Sequence, residues 1–328
     1  MLLAVVTIAV LALWLRRCAR KLLSMWPTKE AWRSTVPDLL ARSVARWGLT
    51  LGRVHPGGSA SYVVSVRTAA GRDAVLKLSF PHREARDEAA ALRWWDGSGS
   101  VRLLQADLND PFVLLLERCD PGVRLADRHD LSPERRLSIA ADLLTRLWSR
   151  TASNDSDTTT APAPTTRFER VADVAAEWAD LVEERMRTFR PDLDHVAVAR
   201  GNALLRELPV TAPRTVVVHG DYNPGNLLTA TREPWLVIDP KPMVGDPSYD
   251  LCPLLMQIDD PFSLPDTEGH LRNRISLLAD LTGESPVRIA AWCVARLVES
   301  SLWYTSRSEL TQARDNIERA KLLDALAI

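Results

Sequence analysis

The most informative segment of the chain is residues 216–240, which read VVVHGDYNPGNLLTATREPWLVIDP. Three valines lead into His219-Gly220-Asp221, and Asn226 follows Asp221 by five positions. The letters TREP are typical of a tight turn, so the apolar segments on either side are predicted to pair as a short hairpin. Asp239 ends the second segment, thirteen positions after Asn226. The hairpin is therefore expected to bring Asn226 and Asp239 close together.

This order of polar residues is typical of phosphoryl transfer. A kinase holds one carboxylate beside the acceptor hydroxyl and supplies hard oxygen ligands to the Mg²⁺ ions that bridge the phosphates. Asp221 is then the predicted catalytic residue, and Asn226 and Asp239 are the predicted metal ligands. Taken alone, the tripeptide His219-Gly220-Asp221 and an aspartate at the end of a strand, such as Asp239, are both ordinary turn sequences. Both together, in the correct order and spacing around a hairpin, indicate a functional site.

A kinase also needs a lysine on the third strand of a sheet domain and a glutamate on the helix that follows. Lys77 lies inside the apolar run AVLKLSF. Lysine is rare in this chain, with only five among 41 basic residues, so a lysine inside an apolar run is informative. Glu88 is its predicted partner, with Glu84, one helical turn earlier, as the second choice. The alternative is a solvent-facing lysine on an edge strand. The segments on which this rests are strands Leu49–Val54, Tyr62–Arg67 and Ala74–Phe80, and a helix from about Arg83 to Trp95.

Two further segments are candidates for nucleotide contacts. Gly57, Gly58 and Ser59 lie in the turn between the first two predicted strands, where their amides could approach a triphosphate; a plain tight turn is the alternative. The segment FVLLLERCDPG reads as a strand that runs into a connection between domains. Backbone groups near Arg118 and Cys119 are predicted to meet the adenine there.

The pattern along the chain predicts an α+β fold with two lobes. Residues 25–118 form a β-rich lobe with one inserted helix, and residues 119–328 form a mostly helical lobe. A polar, low-complexity stretch at 151–166 is predicted to be a flexible insertion in the second lobe. Further helices are expected at about Pro133–Ser149, Arg167–Thr188 and His195–Leu208, and through residues 268–327.

Composition excludes several classes of protein. At roughly 150 residues per domain, 328 residues correspond to about two domains. Lys and Arg total 41 against 42 for Asp and Glu, so the charge excess that nucleic-acid binding needs is missing. The four cysteines form no CxxC pair, which excludes a zinc ribbon and a dense disulfide scaffold. We expect a cytoplasmic protein with a small-molecule substrate and no implied protein partner.

The amino terminus allows three interpretations. The first fifteen residues carry no charge, and Arg16, Arg17, Arg20 and Lys21 follow them. This run is shorter than the ~20 residues of a spanning helix, and its charges follow rather than precede it, unlike a signal peptide. Residues 1–24 can be a short membrane anchor, an amphipathic or buried helix, or an upstream extension before a natural start at Met25. We favour the last, so membrane contact is expected only if residues 1–15 are an anchor.

Two segments resemble one kinase family. HGDYNPGN (219–226) and IDPKPMVGDPSYDL (238–251) are similar to the aminoglycoside/hydroxyurea antibiotic resistance kinases, the group that contains the streptomycin 6-kinases. The likeness extends through VLKL, EAAALRWWDG, VRLLQAD and LLLERCDPG, covering about residues 33 to 305. It implies a protein-kinase-like fold, with ATP and Mg²⁺ as cofactors. It also implies the roles already given to Asp221, Asn226, Asp239, Lys77 and Glu88, and it implies that Asp246 and Asp250 brace the catalytic loop.

The resemblance implies an acceptor only in outline. Members similar to streptomycin kinases often carry histidines after HGD, whereas this chain has Tyr222-Asn223-Pro224. Aminoglycosides are polycations, so Asp259, Asp260 and Glu299 are candidates for a carboxylate rim around the acceptor, with ordinary solvated acidic residues as the alternative.

The expected function is ATP-dependent transfer of the γ-phosphoryl group to a hydroxyl of an aminoglycoside of the streptomycin type. One alternative keeps the fold and changes the acceptor to hydroxyurea or another small hydroxylated metabolite, such as an amino alcohol or a sugar. A second alternative is a catalytically silent kinase-like binding module.

Overall fold

The computed structural model describes residues 26–55, 60–150 and 168–326. The chain divides into two compact units. We call the first the sheet unit; it comprises the residues up to Ala89 together with Leu103–Arg118. The second, the helical unit, comprises Ala90–Arg102 and everything from Cys119 onward. The N-terminal extension of residues 1–24 and the insertion of residues 151–166 lie outside the described residues, so both remain predictions.

The sheet unit is built on a five-stranded antiparallel sheet with the strand order β1-β2-β3-β5-β4. Lys77 lies in β3, opposite Val63 of β2 and Leu114 of β5. The lysine is therefore on a central strand, and the alternative of an edge strand is wrong. The strands are β1 (Thr50–His55), β2 (Ser61–Arg67), β3 (Asp73–Ser79), β4 (Leu103–Ala106) and β5 (Val113–Glu117).

Helix α1 (Lys29–Trp47) covers one face of this sheet. The Thr28 hydroxyl accepts a hydrogen bond from the Ala31 amide at 3.1 Å and caps the first turn. Trp32 and Val36 are buried with the sheet leucines and valines in one apolar core. Burial of this face, more than helix propensity, holds α1 in place.

The predicted helix from Arg83 to Trp95 is interrupted. Arg83–Ala85 forms a 3₁₀ turn, and a separate helix α2 runs over Glu88–Trp95. The His82 ring accepts from the Ala85 amide at 3.0 Å, so the 3₁₀ turn has its own cap. Consequently Glu84 belongs to the turn, and Glu88 opens α2.

Residues 90–102 group with the helical unit, although the sequence analysis assigns them to the first lobe. These residues belong to the helical unit because of backbone hydrogen bonds that no local sequence pattern predicts. The Val237 amide donates to the Gly99 carbonyl at 2.9 Å, and the Val101 amide donates to the Val237 carbonyl at 3.0 Å. Residues 99–101 thereby extend along the strand that precedes Asp239.

Helices make up most of the helical unit. The long helix α8 buries one apolar face along its whole length, from Ile289 to Thr305, and it packs against α4, α5 and α9. Among the described residues, none of the helices has the length and apolarity needed to cross a membrane. The helices are α3 (Pro133–Trp148), α4 (Val171–Phe189), α5 (His195–Glu207), α6 (Cys252–Gln257), α7 (Thr267–Thr282), α8 (Pro286–Ser306) and α9 (Leu310–Ala325).

Residues 216–240 contribute strands to two small sheets of the helical unit. One has the order β6-β10-β7, and the other is the predicted hairpin of β8 and β9. Antiparallel pairing sets Leu227 opposite Val237. The strands are β6 (Glu169–Arg170), β7 (Val216–Val218), β8 (Leu227–Thr229), β9 (Trp235–Val237) and β10 (Met243–Gly245).

Candidate active site

Asp221 lies in the loop that leaves β7, where hydrogen bonds hold both of its carboxylate oxygens. Lys241 Nζ donates to Oδ2 at 2.8 Å, and Asn223 Nδ2 donates to Oδ1 at 3.1 Å. About a third of the Asp221 side chain is exposed (32%). The carboxylate is thus fixed in orientation and still open to a ligand, as a group that orients an acceptor hydroxyl must be.

His219, two residues earlier, is fully buried and supports the loop from below. Its Nδ1 accepts from the Asp221 amide at 3.2 Å, and its Nε2 lies 3.0 Å from the Ile238 carbonyl. This pattern assigns the neutral tautomer with the proton on Nε2. The ring stacks on Trp95, with centroids 6.1 Å apart. Burial lowers the pKa of His219 to about 4, so the imidazole stays neutral at pH 7.

We expect the neutral His219 to make stability pH-dependent. Between pH about 6.5 and about 4 the unfolded chain binds a proton at this histidine that the folded chain does not, so stability falls as the pH falls. The wild type should lose up to about 3 kcal/mol more than His219→Gln across this window. Urea unfolding of both proteins from pH 4 to pH 7 measures the difference. A difference that does not change with pH would contradict a neutral, buried His219.

Gly220 allows the loop to touch the Asp-Pro-Lys segment. Its φ is +84°, and a Cβ placed on it would lie 1.8 Å from the Lys241 carbonyl oxygen. The Lys241 amide donates to the His219 carbonyl at 2.8 Å. No residue with a side chain fits here without moving one of the two segments.

Replacement of Gly220 by alanine is expected to cost about 2–4 kcal/mol, because left-handed strain and a backbone overlap add together. Gly283 is a matched control, since its φ is +73° and a Cβ there meets nothing within 4 Å. Gly283→Ala should cost about 1 kcal/mol from strain alone. Urea denaturation of the two variants compares them, and equal losses would rule out the close approach at Gly220.

Two carboxylates of the segment GDPSYD are buried, and one of them contacts the catalytic loop. Asp250 accepts from the His219 amide at 2.8 Å and from the Gly220 amide at 2.9 Å. Burial raises the pKa of Asp250 to about 6. Asp246 accepts from Trp292 Nε1 and from Arg288 Nε of helix α8, both at 2.6 Å. Asp250 therefore holds the catalytic loop directly, whereas a bracing role for Asp246 stays a prediction.

The hairpin delivers the two predicted metal ligands. The Ile238 amide donates to the Asn226 carbonyl at 2.9 Å, which sets Asn226 beside the residue before Asp239. Asn226 Nδ2 donates to the Asp221 carbonyl at 2.9 Å, so the amide oxygen of this side chain is directed away from that bond. Asp239 has a φ of +59°, a conformation that non-glycine residues adopt mostly at turns and functional sites.

These oxygen atoms suit Mg²⁺. This ion is usually held by one or two protein side chains, with phosphate oxygens and water completing an octahedron. A carboxylate and an amide oxygen on one hairpin fit that pattern. Over residues 26–55, 60–150 and 168–326, no group of three or more His, Cys, Asp or Glu side chains converges to hold a metal ion.

In the sheet unit, Lys77 and Glu88 form a buried ion pair. Nζ lies 2.7 Å from both carboxylate oxygens. The side chains are 8% and 1% exposed, so the pair is out of water. Breaking such a pair by removing one partner leaves an uncompensated buried charge. The structure joins Lys77 to Glu88, the first choice of the sequence analysis; a phosphate-binding role for the lysine stays a prediction.

The other predicted nucleotide contacts remain predictions. Gly57, Gly58 and Ser59 lie outside the described residues. Arg118 follows the last residue of β5, and its guanidinium lies 3.8 Å from the Asp73 carboxylate. The chain passes from one unit to the other between Arg118 and Cys119.

The three carboxylates predicted to surround the acceptor are each paired with an arginine. Arg136 hydrogen-bonds Asp259, Arg319 lies 2.8 Å from Asp260, and Arg185 lies 3.5 Å from Glu299. Asp259 and Asp260 lie in the loop after α6, whereas Glu299 lies on α8, and the structure does not show the three side chains as one rim. Their role as acceptor ligands stays a prediction, and the local arginines offset their negative charge.

Sequence reasoning assigned no role to Lys241, whose ammonium contacts Asp221. The signal was present, because Lys241 is one of only five lysines and stands in the Asp-Pro-Lys of the resembling segment. Its partner lies twenty positions earlier, and no periodic pattern connects the two. The stacking of Trp95 on His219 was also missed, since the sequence analysis placed residues 90–102 with the other lobe.

The chain is similar to known kinases over most of its length. The model of the aminoglycoside/hydroxyurea antibiotic resistance kinase family matches residues 46–307. Streptomycin 6-kinase from Streptomyces glaucescens is 34% identical over 275 residues, which is 84% of each chain. Hydroxyurea phosphotransferase from Kitasatospora aureofaciens is 32% identical over 289 residues, covering 88% of this chain and 78% of that protein.

A solved structure confirms the predicted fold class. A thermostable mutant of aminoglycoside phosphotransferase APH(4)-Ia, in a ternary complex with ADP and hygromycin B, aligns with a TM-score of 0.60 at 18% identity. The alignment covers 90% of this chain and 99% of that one. The fold is protein-kinase-like, with a sheet unit and a mostly helical unit. The chain is therefore a kinase that acts on a hydroxyl group, and it belongs to the aminoglycoside/hydroxyurea antibiotic resistance kinase family.

Proposed function

We propose that the protein is an ATP- and Mg²⁺-dependent O-phosphotransferase whose acceptor is an aminoglycoside of the streptomycin type. The observation that carries the proposal is the geometry of one loop and one hairpin. Asp221 is fixed and partly exposed, and Asn226 bonds to its carbonyl. Asn226 directly precedes β8, and Asp239 lies two residues beyond β9, the strand paired with β8. The streptomycin 6-kinase of S. glaucescens, at 34% identity, supports the acceptor class.

Each residue has a defined task in this reaction. Asp221 accepts a hydrogen bond from the acceptor hydroxyl and takes up its proton as the oxygen attacks. The bond between this oxygen and the γ-phosphorus forms as the bond from phosphorus to the β–γ bridging oxygen breaks, and ADP leaves with the electron pair. Asn226 and Asp239 would hold Mg²⁺, which neutralises charge on the phosphates when bound. Lys77, steadied by Glu88, contacts the nucleotide phosphates.

A second acceptor is favoured by one observation. A polycation is bound best where carboxylates carry uncompensated charge. Asp259, Asp260 and Glu299 are each paired with an arginine instead. A small neutral acceptor such as hydroxyurea needs no such charge. The hydroxyurea phosphotransferase of K. aureofaciens, at 32% identity, supports this second candidate.

One assay separates the candidates. The purified protein is given Mg²⁺-ATP with streptomycin, other aminoglycosides, hydroxyurea or simple amino alcohols, and ADP release is measured for the wild type and Asp221→Asn. Streptomycin-dependent release that Asp221→Asn abolishes is the expected result. Release with hydroxyurea alone would keep the mechanism and change the acceptor. Nucleotide binding without release for any acceptor would favour the silent binding module over catalysis.

A further inference from the structure

Lys241 is placed unusually for a surface lysine. Its ammonium lies 2.8 Å from Asp221 Oδ2, and the two side chains are 33% and 32% exposed. The backbone of the same residue is held to the catalytic loop at two points. Its amide donates to the His219 carbonyl at 2.8 Å, and its carbonyl oxygen lies against Gly220. The lysine is thus positioned relative to Asp221 by main-chain contacts, as well as by its own charge.

Stability does not explain this arrangement. An ion pair that is a third exposed contributes little to folding, because water and salt screen it. Residue 241 is also a lysine, although only five of the 41 basic residues in the chain are lysine and the rest are arginine. A lysine ammonium is a compact point charge with three N–H donors, whereas an arginine presents a planar fork. A compact charge with several donors fits contact with the negatively charged oxygens of a phosphoryl group.

Distance limits put the ammonium near the reacting atoms. An acceptor hydroxyl bound to Asp221 lies ~2.7 Å from the carboxylate, and reacting atoms approach to ~3–3.5 Å before a bond forms. An ammonium 2.8 Å from the same carboxylate therefore lies no more than about 9 Å from the phosphorus when it and the hydroxyl meet the same carboxylate oxygen, and it comes closer when both lie on one side of that oxygen. A preorganised cation at that place stabilises charge that develops during transfer.

We propose that Lys241 is a catalytic residue of the transfer step, which donates a hydrogen bond to the transferring phosphoryl group while it holds Asp221 in orientation. The inference rests on the proposed function, in which Asp221 meets the acceptor hydroxyl. Lys241 gains and loses no proton in the step; the hydroxyl proton goes to Asp221, and the electron pair of the broken P–O bond leaves with ADP. Asp221 and Lys241 thus act on the two partners of one displacement.

The test compares Lys241→Met with Lys321→Met. Lys321 is also partly exposed (43%) and paired with a carboxylate, Glu318, on helix α9. Titration calorimetry with Mg²⁺-ADP, alone and with aluminium fluoride as a stand-in for the transferring phosphoryl group, gives a readout independent of turnover. Lys241→Met should bind ADP as the wild type does and lose most of the added affinity that aluminium fluoride provides. It should also lower kcat by about 10²–10³-fold with little change in the KM for ATP.

Lys321→Met should match the wild type in every measurement. Lys241→Arg keeps the charge but changes its shape, so an intermediate kcat is expected. Equal gains from aluminium fluoride in the wild type and Lys241→Met, including no gain in either, would overturn the inference. So would a wild-type kcat in Lys241→Met, which would leave the proposed function standing. A wild type that releases no ADP with any acceptor would refute the proposed function, while the calorimetry still decides whether Lys241 contacts a phosphoryl group.

Discussion

Asp221→Asn should lower kcat by about 10²–10⁴-fold and leave ATP affinity largely unchanged. The substitution keeps the shape of the side chain and removes its ability to take up a proton. Asp221 is bound on both oxygens by residues that lie outside the sheet unit, Lys241 and Asn223. Asp221 needs no contact with the Lys77–Glu88 pair to orient the acceptor hydroxyl, so the affinity for ATP is expected to stay largely unchanged. Single-turnover measurements with Mg²⁺-ATP and the acceptor, beside calorimetry with ATP alone, separate the two effects.

The control for this variant is Asp192→Asn, at an aspartate whose side chain is 96% exposed. It should retain the wild-type rate and melting temperature. Melting curves of Asp221→Asn check that the loop has not unfolded. A wild-type rate in a folded Asp221→Asn protein would show that the hydroxyl is oriented by another group, and it would remove the basis of the proposed mechanism.

Asp239→Asn is expected to abolish the contribution of Mg²⁺ to ATP binding. Loss of one charged contact to a bound ion weakens affinity by about 10–150-fold, and kcat should fall by about 10²–10³-fold. Asparagine is the appropriate replacement, because Asp239 has a φ of +59° and asparagine tolerates that conformation. The fold should therefore be kept while the ligand charge is lost.

Calorimetry with ATP in Mg²⁺ and in EDTA measures this effect directly. The wild type and Asp221→Asn should bind ATP more tightly in Mg²⁺ than in EDTA, and Asp239→Asn should bind equally in both. The opposite pattern, with Mg²⁺ dependence lost in Asp221→Asn and kept in Asp239→Asn, would exchange the roles given to the two aspartates.

The core of the candidate site could be predicted from sequence because its signals are local. His219-Gly220-Asp221, Asn226 and Asp239 lie within 21 residues, and the turn TREP pairs the strands that join them. Lys77 was predictable for a related reason, since a lysine between leucines in a strand must find a buried anionic partner. Sequence does not distinguish Glu88 from Glu84 by position, because a continuous helix would put both on one face. The 3₁₀ turn at Arg83–Ala85 separates them.

One prediction failed because segments far apart in the chain bond to each other. Residues 90–102 read as part of the first lobe, yet Gly99 and Val101 bond to Val237, more than 130 positions later. Sequence also gave no sign that Arg136 contacts Asp259 across 123 positions, and the role of Asp259 as an acceptor ligand stays a prediction. Hydrophobic periodicity predicts neither contact, because it indicates only which face of a single helix or strand is buried.

Spacing and turn chemistry act over a few residues, and they were enough to predict the order of elements and the catalytic and metal-binding candidates. The kinase family was predicted from the likeness of two segments, 219–226 and 238–251. Only the packed structure shows that Lys241 contacts Asp221, that His219 is buried and neutral, and that Asp250 accepts from the two amides of His219 and Gly220. These contacts depend on how whole helices and strands pack. Burial and charge pairing, which set the chemistry of the loop, exist only once that packing has formed.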